Sequence, residues 1–92
     1  MSSYQTAEAQ LISATSTAKC ATFEGGIQKA VISASADSYI SFDEQVPVVD
    51  GNSLFIKGAD HATEIDFSGG NIKKVWAITA STANVFILGI RN

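Results

Sequence analysis

The chain is short of charge. Lysine, arginine, aspartate and glutamate make up 16% of its 92 residues, against roughly a quarter in an ordinary soluble domain. So little charge in a small domain predicts that part of its surface is turned away from water. The six basic residues, Lys19, Lys29, Lys57, Lys73, Lys74 and Arg91, form no cluster larger than Lys73-Lys74, and the net charge is −3. Nucleic-acid binding needs a basic footprint, so no nucleic-acid partner is expected. The single Cys20 excludes an internal disulfide. Followed by the small Ala21 and Thr22, it reads as a buried strand position and not as a nucleophile. No run approaches the ~18 apolar residues of a membrane span. The opening MSSYQTAEAQLISATSTA has neither the basic start nor the apolar core of a signal peptide. A chain made in a cytoplasm, and kept soluble or assembled there into something larger, is the expectation.

Catalytic signatures are missing too. His61 is the only histidine. With Asp60 and Glu64 it offers part of a metal shell, but zinc asks for three or four ligands and nothing brings Cys20 near. The segment reads as a solvated loop, with no metal and no cofactor. There is no G-x-S-x-G to hold a nucleophile. Asp43 and Glu44 are adjacent and would face opposite ways on a strand. With Asp50 they lack the calcium-loop spacing, so a polar turn is expected there. Gly25-Gly26 and Gly69-Gly70 precede no helix and no G-K-[ST], which makes them turns and not phosphate loops. No enzyme is predicted.

What is present is β pattern. Residues 1–17 are small, polar and unpatterned, and read as an N-terminal arm with at most one or two helical turns, anchored by Tyr4, Leu11 and Ile12. Residues 18–92 read as one β domain. KCATFE and IQKAVISA flank Gly25-Gly26, the signature of a two-residue hairpin. SYISFD, SLFIKG, TEIDF, IKKVWAITA and ANVFILGI follow, with Pro47 confining QVPVVD to a loop or an edge. Seven or eight short strands with turns every 8–12 residues predict an all-β sandwich or jelly-roll-like barrel.

Two stretches are alike. AVISASADSYISF (30–42) and WAITASTANVFIL (76–88) align at an offset of 46 residues, Ile32 on Ile78. Duplication and convergence on the same hairpin chemistry both account for this. Strand side chains alternate faces, and the aligned residues Ala30, Ala34, Ile40 and Phe42, with Trp76, Ala80, Phe86 and Leu88, are all even-numbered. Both hairpins should therefore point their even face inward. Trp76 then belongs to the core, and Tyr39, on the odd face, is the better surface candidate for sugar stacking. The odd face of the second copy carries Val75, Ala77, Val85 and Ile87 without a charge. Either the opposite sheet or a sister subunit must cover it.

SGGNIKKVWAITASTANVFILGI resembles the closing segment of small β-sandwich structural proteins of tailed bacteriophages: a glycine turn, a strand of the type I-x-x-V-x-A-I-x-A, a small-residue turn and a final apolar strand. Gly70, Ile72, Val75, Ala77, Ile78, Ala80, Val85, Phe86 and Ile87 carry the pattern. The resemblance implies a jelly-roll-like capsid decoration or cement protein, or part of a head fibre or tail, located in the virion and bound to a major capsid or other virion protein. It implies a homotrimer and supplies no catalytic residue. On that basis a sister subunit is expected over Val75, Ala77, Val85 and Ile87. A receptor- or carbohydrate-binding module of a fibre or tail is the alternative.

Overall fold

The computed structural model describes residues 6–47, 53–59, 61–68 and 70–91. They form eight strands: β1 Thr6–Ala14, β2 Lys19–Ile27, β3 Lys29–Ala34, β4 Ser38–Phe42, β5 Leu54–Ile56, β6 Thr63–Asp66, β7 Ile72–Ile78 and β8 Ala83–Arg91. Two four-stranded sheets pack face to face, with orders β1-β8-β3-β6 and β2-β7-β4-β5. Every neighbouring pair is antiparallel. The chain is in effect folded in half between β4 and β5, so that β4 meets β5, β3 meets β6, β2 meets β7 and β1 meets β8. That doubled strand is then rolled up, which is the jelly-roll arrangement.

Most of the segment expected as an N-terminal arm is a strand of the sandwich. Residues 6–14 are a full strand in unbroken register with β8, from Thr6 opposite Arg91 to Ala14 opposite Ala83. The segment is β and not helical because its backbone groups find a ladder in β8, while Ile12 and Ala14 drop into the core. Tyr4 lies outside the described residues.

The glycine pair Gly25-Gly26 is not a hairpin. Both residues sit inside β2 with φ of 80° and 81°, and the β2–β7 register shifts between Thr22 and Ile27. They form a bulge that bends the strand. At its end the chain leaves one sheet and enters the other, so β2 and β3 never pair.

The two similar stretches are not hairpins either. β3 and β4 lie in different sheets, as do β7 and β8. Each stretch is an arch: a strand, a short turn, and a strand in the opposite sheet. The arches stack on each other through the β3–β8 and β4–β7 ladders. Their structural equivalence is one residue off the sequence alignment. Ala30, Ile32 and Ile40 are buried where Val75, Ala77 and Val85 are buried in the second arch, an offset of 45 (Ile32 to Ala77). The second arch thus turns its odd face inward, contrary to expectation. Gly89 explains why. A Cβ there would stand 2.7 Å from both Ile27 and Phe23 side-chain atoms, far inside contact distance. Only the parity that places Gly89 inward leaves room for the fully buried Phe23.

The core is correspondingly simple. Ile12, Ile32, Val85 and Ile87 from one sheet meet Phe23, Ile40, Ile56 and Val75 from the other. Phe42 and Phe67 close one end edge to face, ring centroids 5.0 Å apart. Among the described residues no buried side-chain polar atom lacks a hydrogen bond.

Candidate functional site

The four residues expected to meet a sister subunit do not reach the surface. Val75, Ala77 and Val85 are 0% exposed and Ile87 is 1% exposed. The opposite sheet covers them, which was the other of the two coverings the pattern allowed. What the flipped parity brings outward instead is Phe86 and Leu88, 51% and 39% exposed. Leu11 stands opposite Phe86, and Ala9 and Val31 flank Leu88 on its two sides. Together they line a shallow groove of about 330 Å³ on the outer face of the β1-β8-β3-β6 sheet, with Gln10, Ser33 and Ile87 as the remaining walls. No charged side chain lines it. Charges border it on the β6 side, where Glu64 and Asp66 stand opposite Val31 and Lys29. Of the expected anchors, Leu11 belongs to this outer surface at 54% exposure, whereas Ile12 is in the core at 4%.

A polar clasp ties β1 to both sheets. Arg91 donates from Nε to the Gly26 carbonyl at 2.8 Å and from Nη2 to Glu8 Oε1 at 3.0 Å. Gln10 Nε2 donates to Glu8 Oε2 at 2.8 Å and to the Thr22 carbonyl at 3.2 Å. The Gln10 amide first, and then the Arg91 guanidinium, hold the Glu8 carboxyl below its ordinary value of 4.5, because both favour the ionised form.

The outer face of the other sheet is aromatic. Tyr39 and Phe55 stand opposite each other on β4 and β5, ring centroids 5.4 Å apart and tilted by 54°. Trp76 is on the same face and not in the core as expected. It sits opposite Ser41 and Cys20 and donates its indole N–H to the Asp43 carbonyl at 2.6 Å. Cys20, expected to be buried, is exposed on this face, because Ala21 and Phe23 hold the inward positions of β2. Asp43 is in the left-handed region at φ 56°. Its carboxylate accepts from the backbone N–H groups of Lys73 and Lys74 at 2.9 and 3.3 Å, and Ser41 Oγ donates to the Gln45 carbonyl. The 43–45 segment is therefore a turn laid against β7.

Among the described residues no three His, Cys, Asp or Glu side chains come together. His61 and Glu64 are both exposed, and Asp50, Asp60 and Gly69 lie outside the described residues. No described helix is long and apolar enough to cross a membrane.

The fold and its two outer faces define an all-β sandwich of jelly-roll order with one apolar and one aromatic face. No family model, curated protein or solved structure matches the chain.

Proposed function

We propose that this protein is a structural assembly module that works by packing against other protein chains through the outer face of the β1-β8-β3-β6 sheet. The observation that carries the reading is the uncharged patch of Leu11, Phe86 and Leu88 with Ala9 and Val31. Apolar patches of large size are rare on soluble monomers and mark places where another molecule sits. Each such side chain contributes roughly 1.5–3 kcal/mol when fully covered, enough for three or four of them to fix an assembly. The setting proposed is the one its sequence resembles, a bacteriophage particle, with the protein acting as a decoration or cement subunit on a major capsid or other virion protein. Jelly rolls serve as capsid domains and also as lectins, and fold alone does not choose between them. Sedimentation of the wild-type chain and co-sedimentation of Leu88→Asp with purified particles test the packing: the wild type associates, and the variant stays folded and is not retained on the particles. Mass spectrometry of purified particles, with a copy number per capsid, tests the setting.

The aromatic face supports a second reading. Tyr39, Phe55 and Trp76 share one surface, and flat rings stack on sugar faces. A glycan titration followed by Trp76 fluorescence separates the two: saturable quenching with sugar, lost in Phe55→Ala, favours a carbohydrate-binding module.

A further inference from the structure

We infer that β1 is a pairing edge for a second copy of this chain, so that two sandwiches join through antiparallel β1 strands into one eight-stranded sheet. This rests on the assembly reading above and names its partner and geometry.

The four sheet edges are not equivalent. β5 and β6 have three and four residues, too short to template much pairing. β2 is nine residues long but is interrupted by the glycine bulge and carries Lys19 and Glu24. Bulges, charges, proline and short length are the devices that keep edges from pairing. β1 has none of them. It runs nine residues, Thr6–Ala14, without glycine, proline or lysine and without a break in register. Its one charge, Glu8, is tied to Arg91. Among the described residues no strand lies along its outer side.

The sequence of β1 suits itself. Antiparallel pairing centred on Gln10, which uses all nine residues, places Ala9 opposite the partner's Leu11 and Glu8 opposite the partner's Ile12. No like charges meet, which cross-strand pairing requires. On the outer face Ala9 already lies beside Leu88, and Leu11 beside Phe86. A row then runs Leu88, Ala9, the partner's Leu11, the partner's Phe86, and its two-fold mate runs back the other way. The two apolar grooves become one continuous band, and Leu11, 54% exposed, gains a neighbour on its open side. The pairing is two-fold and closes on itself.

Analytical ultracentrifugation of the full chain at micromolar concentration tests this. The wild type sediments at twice 9.6 kDa. Ala9→Lys puts into β1 the charge that protected edges carry, at an exposed position. It should raise the dissociation constant at least tenfold while circular dichroism stays that of the folded chain. Leu88→Asp, one strand in from the edge, should leave the pairing within a few-fold at this dimer step. Hydrogen exchange supplies a measurement without substitution: amides on the outer side of β1 should be protected in concentrated protein and lose protection on dilution. A wild-type monomer overturns both this inference and the assembly reading. A trimer, a dimer indifferent to Ala9→Lys, or β1 amides whose exchange ignores concentration overturns the edge pairing. Dissociation by Leu88→Asp with no effect of Ala9→Lys overturns it too and leaves packing through the face intact.

Discussion

Leu11 and Phe86 stand directly opposite each other on β1 and β8, and each is more than half exposed. Their mutual contact stabilises the sheet by about 0.2–1 kcal/mol, the range for cross-strand pairs. Most of the apolar surface of both side chains remains outside the fold. Phe86→Ser should therefore change the unfolding free energy by no more than about 1 kcal/mol. It should at the same time weaken retention on purified particles. Urea unfolding and co-sedimentation with particles check both halves.

Ile87, the next residue, behaves in the opposite way. It is 1% exposed and packs between the sheets. Ile87→Ala should cost about 2–5 kcal/mol, the range for a large core residue cut to alanine. Ile87→Asp should abolish folding, since a buried unpaired carboxylate has no partner there. A soluble, folded Ile87→Asp would return this residue to the surface.

Gly89 sets the face that β8 turns inward. Gly89→Ala puts a methyl group against Phe23 and Ile27 at 2.7 Å, and overpacking of this kind costs typically about 1–3 kcal/mol. Phe23→Leu in the same chain should recover part of that loss by opening space. Thermal melts of the two single variants and the double variant give the coupling.

Glu8 gives the clasp a pH dependence. Gln10 and then Arg91 lower its pKa in the folded chain, so ionised Glu8 favours the folded state. The contribution is complete above the ordinary value of 4.5 and disappears as pH falls through the lower folded value. Wild type should be more stable than Glu8→Gln at neutral pH, by a small margin because the pair is solvated. The two melting curves should converge in acid. A gap that persists well below the folded value would assign the effect to packing.

Cys20 lies opposite Trp76 on the outer face of the other sheet and is exposed. In native protein a thiol reagent should titrate one group per chain without denaturant. A quenching label attached there should dim Trp76. Slow labelling that waits on unfolding would place Cys20 in the interior.

The elements were legible where short apolar alternations end in glycine or small polar residues, as they do around β3, β4, β7 and β8. β1 was not, because TAEAQLISA sends only Ile12 and Ala14 firmly inward and finds its ladder in β8, the last strand of the eight. Arches could not be told from hairpins, since the turn residues are the same and only the pairing of distant strands decides. The inward face of the second arch was hidden for another reason. With apolar residues on both parities, hydropathy carries no information there, and the deciding contact is the missing side chain at Gly89 against Phe23. That one-residue slip hid the patch, because it exchanged Val85 and Ile87 for Phe86 and Leu88.

The doubling of the chain at the β4–β5 connection fixes an order of assembly. β4 with β5 closes the shortest loop, β3 with β6 the next, then β2 with β7, and β1 with β8 spans nearly the whole length. Longer closures cost more chain entropy before any contact repays it. Folding should then proceed as a zipper from the middle outward, with β1 seated last. During synthesis β1 is the first of the eight strands to be made and waits for β8 with both its edges open. That interval is when a nascent chain of this kind is most prone to pair with a neighbour on the same message. Slowing translation through β8 should raise the aggregated fraction while leaving the finished protein as stable as before.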